Sequence, residues 1–117
     1  MLKFMKSLNL WKAFAIFAAL CVPSTGFSDN NWSGKHVGQL QSTDVNADCF
    51  YFSLEGVSVA DPVKPDSQWF AIPRTQYGAK EAYVMLLSVK LTGGVVNVAT
   101  NGTLSCGYAT VRAVWLD

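Results

Sequence analysis

His36 is the only histidine in the chain, and the three cysteines are Cys21, Cys49 and Cys106. A single imidazole cannot build a His-rich metal site, and a nucleophilic thiol needs a base positioned beside it. The acids Asp44, Asp48, Asp61 and Asp66 fall among Asn, Ser, Pro and Gly residues, where a carboxylate is most simply a turn former. No spacing among them singles out two carboxylates placed to work on a glycosidic bond. One histidine at the start of a strand reads as a surface or hydrogen-bonded residue. This inventory predicts no catalytic residue, no metal and no cofactor, so the chain is not expected to be an enzyme.

The aromatic residues offer chemistry of another kind. Residues 49–55 read CFYFSLE, an alternation that puts Phe50, Phe52 and Leu54 on one face of a strand and Tyr51, Ser53 and Glu55 on the other. In residues 68–74 (QWFAIPR) the same logic turns Phe70 and Ile72 inward and Trp69 outward. On adjoining strands, Tyr51, Ser53 and Trp69 would share an outer surface, an aromatic platform with hydroxyls that can stack a sugar ring. The same residues could equally cover a subunit interface or pack beneath another segment. A second candidate rim combines Ser105, Gly107 and Tyr108 with Thr43 and Asp44.

The elements that must carry these residues follow a leader. Lys3, Lys6 and Lys12 precede an apolar run over residues 13–22, followed by Pro23 and small residues. That is the order of a secretory signal, and the run is too short for a membrane span. With the signal ending at Ser28, residues 29–117 form a single domain that is secreted or periplasmic, with no membrane attachment after cleavage. Cleavage removes three of the nine Lys and Arg residues and none of the eight acids, leaving six against eight and a formal charge of −2. No basic stripe remains for phosphates, which counts against nucleic acid as a partner. The cut also leaves two cysteines in an oxidising compartment, which predicts a Cys49–Cys106 disulfide.

Strands are expected over residues 35–42, 49–55, 68–74, 95–100 and 108–116, with a polar lead-in over residues 29–34 whose Trp32 could dock on the body. Pro62 and Pro65 make residues 56–67 a surface loop. Residues 79–92 (AKEAYVMLLSVKLT) collect helix formers, with Ala82, Leu86 and Val89 on one apolar face and Met85 beside them. Gly93 and Gly94 stop that helix. Asn101-Gly102 is expected to form the turn between the last two strands. Three strands, a helix and two strands is the order of a five-stranded, OB-fold-like Greek-key barrel, mainly β with one helix, whose second and third strands and flanking loops bind ligands. The two cysteines would then staple two loops on the same side. The alternative is an open α+β sheet with one packed helix.

The stretch HVGQL over residues 36–40, the cysteine in the second expected strand, the helix before a Gly-bounded strand and export in a short chain together resemble the binding subunits of bacterial A-B type toxins. Within that group the nearest are the subtilase-cytotoxin and typhoid-toxin-like B subunits. The resemblance implies an OB-fold, a homo-oligomeric ring and recognition of a cell-surface glycan; it transfers no individual binding residue. The segments CFYF, ADP, WFAIP and GYATV also resemble small exported bacterial proteins of unassigned function. On that reading the chain is a structural or protein-partner-binding module.

Overall fold

The computed structural model describes residues 30–42 and 47–117. The expected signal, and Thr43 and Asp44 of the second rim, lie outside the described residues. The elements are β1 (Asn30–Lys35), β2 (Val37–Gln41), β3 (Cys49–Leu54), β4 (Phe70–Pro73), α1 (Ala79–Thr92), β5 (Val96–Ser105) and β6 (Tyr108–Trp115). The described residues are mainly β with one helix. Their strands form one six-stranded mixed sheet in the order β1-β5-β6-β4-β3-β2, which is not closed into the expected five-stranded barrel: β1 and β2 are its edges and do not pair with each other. All neighbours are antiparallel except β4 and β6, which run parallel through Phe70↔Ala109 and Ala71↔Thr110. The outermost strands, β1 and β2, are separated in the chain by His36 alone.

Two further expectations are corrected. Among the described residues there are six strands rather than five, because the polar lead-in is itself a strand: Asn30, Asn31 and Trp32 pair with Thr100, Ala99 and Val98. Its composition hides it, since Trp32 is the one large apolar residue there. The Trp32 indole N–H donates to the Ala60 carbonyl at 2.9 Å, and the ring packs against the core. The second correction concerns the last hairpin. Asn101-Gly102 lies inside β5, at an irregularity of its pairing with β6, while the chain reverses at Cys106-Gly107. Both of those residues have positive φ, 52° and 87°, as a two-residue type I′ turn requires.

The main core lies between α1 and one face of the sheet. Phe50, Phe52 and Leu54 of β3 and Phe70 and Ile72 of β4 point into it, and Leu86 and Val89 of α1 cover them. Phe52 and Phe70 are cross-strand partners whose rings stack at 4.9 Å, and Tyr83 of α1 stacks on Phe50 at 4.6 Å. The helix ends where its sequence says it must: Gly93 takes a left-handed φ of 73°, and the Gly94 N–H caps the Val89 carbonyl.

The segment between β3 and β4 is tied down by a buried carboxylate. Asp61 is 3% exposed; it accepts from the Val63 N–H at 2.9 Å and from the Thr100 hydroxyl of β5. The neighbouring Ala60 carbonyl takes both the Trp32 indole and the Asn30 amide. Among the described residues no buried side-chain nitrogen or oxygen lacks a hydrogen-bond partner, which offsets the cost of burying this polar side chain. The ADP segment thus anchors β1, β5 and the loop to one another.

Candidate functional site

The opposite face of β3 and β4 carries a second, smaller cluster. Cys49, Tyr51 and Ala71 are buried there, with Ala47, Trp69 and Tyr108 packed against them. Alternation delivers Cys49 and Tyr51 to this face, since Phe50 and Phe52 occupy the other. Tyr108 arrives from the start of β6. The Cys49–Cys106 disulfide, with Cα atoms 6.5 Å apart, holds the Cys106-Gly107 turn against β3, and Tyr108 is the next residue. Its ring meets Tyr51 edge-on, at 5.7 Å and 87°.

These residues border two adjoining hollows. The smaller, of about 190 Å³, is lined by Gln41, Tyr51, Trp69 and Tyr108. The larger, of about 450 Å³, is lined by Ser58, Lys64, Asp66, Ser67 and Gln68, again with Trp69 and Tyr108. The Ser67 hydroxyl accepts from the Trp69 N–H at 3.1 Å, fixing the backbone that presents the indole. Lys64, half-buried, and Asp66, exposed, form an ion pair at 3.5 Å. Such a pair adds little to stability and keeps donors and acceptors within reach of a ligand.

Of the three residues proposed from sequence, Tyr51 and Trp69 come together in the smaller hollow. Tyr51 is only 5% exposed, so it forms the floor of that hollow and Trp69, half-buried, forms a wall. Ser53 is not part of either hollow. It is 6% exposed and its hydroxyl accepts from the Gln39 N–H at 3.0 Å, beneath β2. From the second rim, Tyr108 joins the site, whereas the Ser105 hydroxyl is bonded to Thr110 at 2.6 Å. Sequence reasoning passed over Gln41, Lys64 and Gln68, and read Asp66 only as a turn former. The pairing of Cys49 with Cys106 was the available signal for Tyr108, because it pulls β6 onto the Tyr51 face.

His36, Asp48 and Arg74 are engaged structurally. The His36 ring lies at the β1–β2 corner with Nδ1 2.9 Å from the Gly94 carbonyl. Asp48 pairs with Arg74 at 3.1 Å, and the Arg74 guanidinium stacks over Phe50. Among the described residues, no group of three or more His, Cys, Asp or Glu side chains could hold a metal ion. No helix among them is long and apolar enough to cross a membrane. The disulfide fits an oxidising compartment. No protein-family model matches the chain, and no curated protein matches it in sequence.

Proposed function

We propose that the chain is an exported, non-catalytic binding module that uses the Tyr51–Trp69–Tyr108 hollow to recognise a glycan or another exposed cell-surface group. The observation that carries this reading is the convergence of three aromatic side chains and Gln41 around an open hollow, beside a turn fixed by a disulfide. Aromatic faces receive the C–H face of a sugar, and an amide side chain can bond its hydroxyls. A scaffold resembling the OB-fold of toxin B subunits suits the task. In its favour are the parallel β4–β6 pair, the helix between β4 and β5, and outermost strands joined through a single residue.

A glycan array probed with the disulfide-bonded protein tests the reading. Binding to a restricted set of glycans that Trp69→Ala removes is the expected outcome. A silent array for both proteins would defeat it.

One observation favours a protein partner instead. Val84, Leu87 and Leu91 lie exposed on the outer side of α1, and Trp115 and Leu116 lie exposed at the chain end. Val84, Met85 and Leu116 line an open groove of about 510 Å³. Apolar surface of this kind commonly marks contact with another chain. Mass measurement in solution separates the cases: a ring-sized assembly supports the toxin-subunit resemblance, and a monomer that co-purifies with one protein supports a partner-binding module.

A further inference from the structure

The two hollows differ in chemistry, and the same two rings line both. Trp69 and Tyr108 are common to them, so a ligand that fills one hollow meets the same aromatic ridge as a ligand that fills the other. The smaller is aromatic on three sides with one amide. The larger offers an ammonium, a carboxylate, Ser58 and Gln68. Resting on the glycan reading above, we propose that the site takes a neutral oligosaccharide of at least two sugar rings, one in each hollow, bridging the Trp69–Tyr108 ridge.

The smaller hollow suits a single ring held against the half-buried Trp69 and Tyr108 with Tyr51 as its floor, and with few polar contacts to select it. Stacking without hydrogen bonds discriminates poorly and holds weakly. Polar selection comes from the larger hollow, where Lys64 and Asp66 stand 3.5 Å apart. An ammonium donates to a sugar oxygen while a carboxylate accepts from two neighbouring hydroxyls, so one ring with a vicinal diol engages both. The two charges cancel. A uronic acid or sulfated ring would bring its anion against Asp66 as well as Lys64, which disfavours acidic sugars at this position. Ser67 is already bonded to the Trp69 backbone, so its part is to set the angle of the ridge.

The test is titration of the disulfide-bonded protein, followed by calorimetry or amide NMR shifts. The probes are the methyl glycosides of glucose and galactose, the neutral disaccharides cellobiose, maltose and lactose, and the acidic disaccharide cellobiouronic acid. At least one neutral disaccharide is expected to bind about tenfold or more tighter than its methyl monosaccharide, a difference that one or two well-made hydrogen bonds supply. It should also exceed the acidic disaccharide. Asp66→Asn and Lys64→Met should each bring disaccharide affinity down toward the monosaccharide value. Equal affinity for one ring and two, or indifference to both substitutions, overturns the two-hollow inference and leaves the glycan reading intact. Silence of all three neutral disaccharides also overturns it, and the array comparison with Trp69→Ala then decides the underlying reading separately.

Discussion

The two faces of β3 and β4 are built by alternate residues of the same short strands, yet they are finished differently. On one face Phe50, Phe52, Leu54, Phe70 and Ile72 are sealed by a fourteen-residue helix. On the other, Cys49, Tyr51 and Ala71 are covered by two aromatic rings and a turn held by one covalent bond. The first face is a core in the ordinary sense, closed by many dispersed contacts. The second is closed in places and open in others, and its hollows lie where the cover runs out. A strand face away from the main core is therefore not a solvent face by default. What lies over it decides, and here Tyr108 and the tethered turn come from a segment more than fifty residues away in the chain.

The sharpest way to break this comparison is to remove one ring from each face. Phe52 is fully buried and stacked on Phe70, so Phe52→Ala should cost about 3–5 kcal/mol, the range for large aromatic deletions in a core. That is much of the stability of a domain this small. Tyr51→Ala should cost roughly half as much, since its ring borders a hollow into which water can move. Urea midpoints with a shared m-value would read both. Equal losses at the two positions would mean that the second face is as fully packed as the first.

Next in size is the bridge. It joins residues 57 apart in sequence, and closing a loop of that length restricts the unfolded chain by about 4 kcal/mol in the entropy model. The double substitution Cys49→Ser with Cys106→Ser should lose on that order. Hydrogen exchange would show where the remaining native state loosens. Amides of residues 105–109 should lose protection well beyond those of Phe52 and Leu54, and ligand binding should weaken with them. Uniform loosening would show that the bridge holds the whole sheet rather than the cover of one face.

The legibility of the molecule from its sequence divides along the same line. The helix from Ala79 to Thr92 was readable because its formers and its Gly stop are local signals. The inward set on β3 and β4 was readable because strand alternation is local too. The strand at Asn30–Lys35 was not: its polar residues are held by Ala60 and by pairing with β5, partners some thirty to seventy residues away. Asn101-Gly102 reads as a turn by every local rule, yet the reversal falls at Cys106-Gly107, beside the covalent tether. Tyr51 and Trp69 could be placed on a common face from sequence. Lys64 and Asp66 could not be placed with them, because only the folded loop brings residues 58–68 alongside Tyr108.

The smallest expected effect concerns Ser53, on the same side of β3 as Tyr51 but closed over by β2. A Cβ placed on Gly38 would stand 2.8 Å from the Ser53 Oγ, closer than two such atoms can rest. In Gly38→Ala the hydroxyl must rotate away, and the Gln39 N–H then loses its acceptor. The expected loss is about 1 kcal/mol, that of one partly buried hydrogen bond. Ser53→Ala should cost a similar amount for the same reason. In the double variant the crowding is relieved and the bond is already gone, so the combined loss should fall short of the two single losses added together by about 0.5 kcal/mol or more. Additive losses would mean that β2 does not bear on Ser53, and Ser53 would then return to the open surface as a neighbour of the hollow. A coupling of the expected sign keeps it beneath β2, where the hydroxyl holds two strands together and the ligand-facing chemistry is left to Tyr51, Trp69 and Tyr108.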